Sequence, residues 1–285
     1  MKLPSRTRAH ASGTPWEMDV RDVLADLVAE QQSLDDIMVS LPPDQWGLPT
    51  PSPGWSVADQ IGHLTYYDGT AALAIVEPVA FGDEMTRLFG NAEQSADDFT
   101  LGRYRSMTSD ELLAAWRTNR EALAAAGDGL DNDTRVAWYG PSMGAKSFLT
   151  ARLMEAWAHG QDIVDAISMN GGGAAREPTD RLRHISQLGF ITRGWTYINR
   201  GLDVPPAAVR VELTSPSGDT WRFGPDDAGE SIVGPALGFC LVTTQRRHVD
   251  DTDLVVTGAS ARDWMEKAQL FAGPPSDGPS PRPHS

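Results

Sequence analysis

Glu155 and His159 stand four residues apart in the run Met154-Glu155-Ala156-Trp157-Ala158-His159-Gly160-Gln161-Asp162. On a helix this spacing stacks the two side chains one turn apart, so a carboxylate and an imidazole can bind the same ion. Stepping roughly 100° per residue, the pair falls on the shoulder of an apolar stripe of Leu149, Leu153, Gly160, Ile163 and Ile167. Such a shoulder faces the cleft between helices, where bundle metal sites are built. His63 holds a similar shoulder on an earlier helix, beside Tyr67, with Ile61 and Leu64 toward the core. Taken singly, a Glu/His pair reads as an ion pair and a helical His as a hydrogen-bonded core residue. On antiparallel neighbours, His63, Glu155 and His159 together make a three-donor set with coordination positions left open, as in catalytic metal sites. Imidazole and carboxylate donors suit zinc, and iron, nickel or manganese share them.

The elements that must position these residues are mostly helical. Val20, Leu24, Leu27, Val28, Gln31, Leu34 and Ile37 predict a first helix ending near Leu41-Pro42-Pro43. After Pro49-Thr50-Pro51-Ser52-Pro53-Gly54-Trp55, Ser56 is an N-cap with Asp59 in the first turn, opening a second helix through Ile75. Residues 79–105 are mixed. Ser109 is expected to cap a third helix carrying Leu112, Leu113, Trp116 and Leu123. A fourth helix is expected from about Ala145 to Met169, and a fifth from about Pro178 to Asn199. Beyond Gly201 the period changes to two. Ala208–Leu213 and Trp221-Arg222-Phe223 flank the turn Ser217-Gly218-Asp219 and read as a hairpin. Gly234 to Thr244 is helix-like, Leu254-Val255-Val256 a short strand and Ala259 to Phe271 a last helix. The expected organisation is mainly α: a tail over 1–17, a helical bundle over 18–201, a small α+β domain over 202–273 and a second tail over 274–285, both tails flexible.

Composition narrows the function classes. A formal net charge of -15 repels polyanions, and Arg246-Arg247, the one basic pair in the part expected to fold, cannot track a phosphate backbone. Nucleic acid is therefore not an expected partner. One cysteine, Cys240, excludes an internal disulfide and a cysteine-rich zinc site, and its apolar surroundings read as core. There is no secretory signal and no run long enough to span a membrane, so a cytoplasmic protein without membrane contact is expected.

The phrase Pro53-Gly54-Trp55-Ser56-Val57-Ala58-Asp59-Gln60-Ile61-Gly62-His63-Leu64, followed by the run around Glu155 and His159, resembles the DinB-like metal-binding bundles. More narrowly it is similar to the mycothiol-dependent maleylpyruvate isomerase family of actinobacteria, over most of residues 18–200. That resemblance implies a DinB-like up-and-down bundle in which His63, Glu155 and His159 hold zinc, with mycothiol as the thiol cosubstrate. It further implies an arginine reaching the cleft from the C-terminal domain, for which Arg246 and Arg247 are the candidates. The stretch from Thr244 to Asp253 resembles one subgroup of these proteins. The expected activity is a metal-dependent isomerase or thiol S-transferase acting on a small anionic electrophile, whose carboxylate a guanidinium would hold in a bidentate pose.

Two other uses of the site stay open at the level of residues. A metal also activates water, and a hydrolase would want a general base such as Asp68 or Asp162, each of which could instead orient a ligand histidine. A bundle that binds a metal or metabolite without turnover could line its cleft with Trp116, Trp157 or Trp195, although tryptophan at helical spacing usually packs in a core.

Overall fold

Asp19 closes the start of helix α1 (Val20–Ser40), its side chain accepting from the Arg21 amide, and Pro42-Pro43 follow directly after the helix. The computed structural model describes residues 18–90, 95–173 and 176–283, so the tail expected before Met18 lies outside the described residues. A short 3-10 turn, Pro43–Gly47, buries Trp46 and leads to α2 (Val57–Val76). Ser56 and Asp59 form a full capping box there: the Asp59 amide donates to Ser56 Oγ (3.2 Å) and the Ser56 amide to Asp59 Oδ2 (2.9 Å). Because this cap sets where α2 begins, Ser56→Ala is expected to cost about 1 kcal/mol of stability, read as a lower urea midpoint at unchanged slope.

The mixed stretch resolves into α3 (Pro78–Gly90) and α4 (Ala96–Leu101). Helix α5 (Ser109–Gly127) is capped by Thr108, not Ser109, because Glu111 three residues on completes a second capping box. Helix α6 spans Ala145–Met169 as expected, preceded by a two-strand ladder of β1 (Arg135–Val136) and β2 (Met143–Gly144). The single helix expected over 178–199 is two, α7 (Leu182–Ile191) and α8 (Arg193–Ile198). Thr192 separates them: its ψ of 8° departs from the helical value, and its hydroxyl donates back to the Leu188 carbonyl at 2.7 Å.

Helices α1, α2, α5 and α6 form the bundle. Leu24 packs on Gly127 while Asp35 pairs with Arg117, so α1 and α5 run antiparallel. Gln60 meets His159 while Asp68 meets Arg152, so α2 and α6 do too. Trp116 and Trp157 are buried, Trp116 in one core with Leu34, Ile61 and Ile163; neither lines the cleft described below. Trp195 is partly exposed, its indole donating to the Phe271 carbonyl.

The C-terminal sheet has the order β4-β3-β5-β6. Strands β3 (Val209–Thr214) and β4 (Thr220–Phe223) are the expected hairpin. Strand β5 (Glu230–Pro235), not anticipated, lies parallel to β3, and β6 (Val255–Thr257) closes the far edge antiparallel to it. The helix-like stretch expected from Gly234 thus starts two residues too early: α9 spans Ala236–Thr243 and begins only after the strand ends at Pro235. Helix α10 covers Ala259–Lys267. Phe239 of α9 and Trp264 of α10 share one buried core with Phe148 and Leu153 of α6. The described residues after Gly273 form no helix or strand, yet Ser276 and Arg282 are hydrogen-bonded to the body of the protein.

Candidate metal centre

The antiparallel packing of α2 on α6 brings His63 over Glu155 and His159. His159 Nε2 lies 3.0 Å and His63 Nε2 3.2 Å from the same oxygen, Glu155 Oε2. The ring centroids are 4.3 Å apart, and one ligand atom from each residue lies within 4.8 Å of the other two. All three side chains are mostly buried, with 12–22% of their surface exposed.

Gln60 orients this cluster. Its Oε1 faces His159 Nδ1, and an amide oxygen can only accept, so Nδ1 carries the proton and Nε2 presents its lone pair. The amide end of Gln60 donates to Thr50 Oγ1 (2.8 Å), whose own hydroxyl donates to the Trp55 carbonyl (2.9 Å). A lone pair and a carboxylate oxygen at 3.0 Å repel each other unless a proton or cation lies between them, so the donor set fits a divalent ion. His63 itself resists protonation. Burial, and next the neighbouring imidazole of His159, lower His63 to about 4. Burial would raise Glu155, but the imidazoles of His159 and His63 beside it outweigh that and hold the carboxyl well below its ordinary value. A neutral imidazole and an ionised carboxylate are the forms that bind metal. Gln60→Ala should lower metal affinity by roughly 10–100-fold, as losing the partner of a ligand histidine does; competition with a chelating dye measures it.

Gln60 escaped the sequence reading, although a position three residues before His63 on one helix is a detectable signal. Trp55 escaped too: its ring stacks on His159 at 5.9 Å and lies tilted 5.1 Å from His63, held by its indole donating to Asp97 (2.9 Å).

Three expected residues, Asp68, Asp162 and Arg247, have other surroundings. Asp68 does not touch a ligand histidine. Five residues beyond His63 it is rotated roughly 140° around α2, into a buried pair with Arg152 (3.1 Å), with Trp116 Nε1 (3.2 Å) and Gln31 Nε2 (2.9 Å) also donating. Asp162 does not touch His159 through any hydrogen bond; it receives Arg246 Nη2 (2.8 Å) and Nε (3.2 Å) and Ser52 Oγ (3.1 Å). Arg246 lines the cleft. Arg247 does not, because both its terminal nitrogens are taken by Asp165 at 2.6 and 2.8 Å. Cys240 is fully buried against Ser186, and burial pushes its thiol up to about 12, which leaves it no role as a nucleophile.

The three donors sit in a cleft of about 680 Å³. Its rim comprises the loop from Pro51 to Trp55, residues 244–246, and Phe271, Ala272 and 276–279 from the C-terminal segment.

The model of the mycothiol maleylpyruvate isomerase N-terminal domain matches residues 27–164. Two uncharacterised proteins of Mycobacterium tuberculosis, from strains CDC 1551 / Oshkosh and ATCC 25618 / H37Rv, are each 42% identical over 259 residues, spanning 90% of this chain and 97% of their own. Among solved structures, the crystal structure of the mycothiol-dependent maleylpyruvate isomerase superposes with a TM-score of 0.53 at 17% identity, covering 82% of this chain and 92% of that one. A histidine-to-alanine mutant of that enzyme gives 0.54 at 16% identity, with the same coverage. At such identity the likeness is one of fold. Among the described residues no helix is long and apolar enough to cross a membrane.

Proposed function

This chain belongs to the mycothiol maleylpyruvate isomerase family, and on that premise we propose that it is a metal-dependent, mycothiol-using isomerase or thiol S-transferase acting on a small anionic electrophile. The meeting of two imidazole nitrogens at one carboxylate oxygen on the floor of an open cleft supports this most. His63 Nε2, Glu155 Oε2 and His159 Nε2 would hold the ion, zinc being first by donor type. When bound, such an ion lowers the pKa of a thiol beside it, so that thiolate is available at neutral pH.

The remaining work falls to the chain's own side chains. Gln60 keeps the proton of His159 on Nδ1, away from the ion. Trp55 covers both imidazoles and restricts water at the floor. Asp162 and the Thr244 carbonyl hold Arg246 at the wall through Nε, Nη2 and Nη1. Three of its five N–H groups are engaged, which leaves one on each terminal nitrogen, and this pair would take a substrate carboxylate. Addition of a thiol sulfur to an electrophilic carbon, rotation and release would give isomerisation; without release the product is a conjugate.

Hydrolysis would need a general base beside the ion. Asp68 is sealed in its pair with Arg152, and Asp162 is committed to Arg246. Cobalt-substituted protein tests the choice. Mycothiol should change its visible spectrum, and the protein should isomerise maleylpyruvate or form a thiol conjugate of a related electrophile. A spectrum indifferent to thiols but changing with pH near neutrality would overturn the thiol reading in favour of activated water.

A further inference from the structure

One wall of the cleft is neither helix nor strand. Ser276, Asp277, Gly278 and Pro279 line it, in a segment whose composition alone would suggest a loose end. Successive hydrogen bonds hold that segment. Asn199 Nδ2 donates to the Gly273 carbonyl (3.0 Å), and Gln269 Nε2 to that of Pro274 (3.2 Å). The Ser276 amide donates to Gln269 Oε1 (3.2 Å), and Arg200 donates to the Ser276 carbonyl. Gln245 makes the tightest grip: its Nε2 donates to the Ser276 carbonyl (2.6 Å) while Ser276 Oγ donates to its Oε1 (2.5 Å). Further on, the Arg282 amide donates to the Asp251 carboxylate at 3.1 and 3.2 Å.

Gln245 is unusual in its backbone as well. Its φ of 61° makes it the one non-glycine residue with a left-handed backbone among those described, a conformation that is rare for such a side chain. It lines the cleft next to Arg246. Gly278, at φ 69°, passes so close that an added Cβ would lie 3.2 Å from Gln245 Cβ, so a glycine is what seats the segment there. A disfavoured backbone, a reciprocal side-chain clasp and a close glycine contact all meet at one point beside the candidate metal centre.

We propose that residues 273–279, clasped by Gln245, are a specificity wall that sets how bulky a thiol or electrophile can be and still reach His63, Glu155 and His159. The consequence for substrates rests on the thiol-using function above; the control of access does not. Two variants test it: a chain ending after Ala272, and Gln245→Asn. Asparagine tolerates a left-handed backbone but is one methylene too short to keep both bonds to Ser276.

The first readout is acylation of the metal-free protein by diethyl pyrocarbonate, followed residue by residue by mass spectrometry. Both variants should acylate several-fold faster at His63 and His159, with His184 and His248, which lie outside the cleft, unchanged. The second readout titrates cobalt-substituted protein with thiols of increasing size. The variants should lose the parent's discrimination against the larger ones and keep their metal content. If no thiol binds even the parent, the proposed function fails, and the acylation rates still decide whether the wall exists. Should the truncated chain lose native helix content, Gln245→Asn decides alone. Unchanged acylation at His63 and His159 in a folded variant would overturn the proposal.

Discussion

His63→Ala is expected to lower affinity for a divalent ion by far more than the roughly 10–100-fold that follows loss of an outer partner, and to abolish any thiol-dependent change in the cobalt spectrum. His63 comes from α2, whereas Glu155 and His159 both come from α6, so its imidazole is the donor that α2 adds to the set. Without it a carboxylate and one imidazole remain, and two donors do not make a closed or a catalytic site of the usual kind. Glu155→Gln should behave similarly, because both imidazoles converge on its Oε2 and an amide carries no charge to offset the ion. Metal analysis after dialysis against a weak chelator, with circular dichroism as the folding control, measures both. Stoichiometric metal at parental affinity in folded His63→Ala would contradict the assignment.

The largest expected effect on stability lies just behind the site. Asp68 and Arg152 are 1% and 4% exposed, and pair at 3.1 Å across α2 and α6. Burial pushes the Asp68 carboxyl up, while the Arg152 charge and the donors of Trp116, Arg152 and Gln31 pull it down. Asp68→Ala removes the carboxylate and strands a buried guanidinium, which typically costs about 3–5 kcal/mol. Against a total stability of roughly 5–15 kcal/mol that is a large fraction, and the urea midpoint should fall accordingly. The double variant Asp68→Leu with Arg152→Met should recover most of the loss, since replacing a whole buried pair by apolar groups is often neutral. A cost below about 1 kcal/mol for Asp68→Ala, the range of exposed pairs, would show that Arg152 finds water or another partner.

Much of the architecture is legible in local pattern. The four-residue spacing of Glu155 and His159, the helical shoulder of His63 and the Ser56/Asp59 cap are all short-range features, and each recurs in the structure where the pattern puts it. What escapes is what depends on partners distant in the chain. An acidic residue in a helix announces a polar interaction without naming its partner: Asp68 answers to Arg152, and Asp162 to Arg246, each 84 residues away. Gln60 is marked by its place one turn before His63, but nothing local names His159, 99 residues on, as its partner. Strand β5 offers only Ile232 and Val233 before Gly234-Pro235, and its strand character comes from pairing with β3 and β6. The C-terminal segment is rich in proline, serine and glycine, a composition shared by disordered chain and by a wall held through backbone carbonyls.

X-ray absorption at the zinc edge of reconstituted protein bears on the centre most directly. Two imidazole nitrogens at about 2.0–2.1 Å and at least one carboxylate oxygen at about 2.0–2.2 Å, lost together in His63→Ala, are the expected result. A bound ion whose spectrum carries no imidazole scattering, or one unaffected by removing His63, would contradict it.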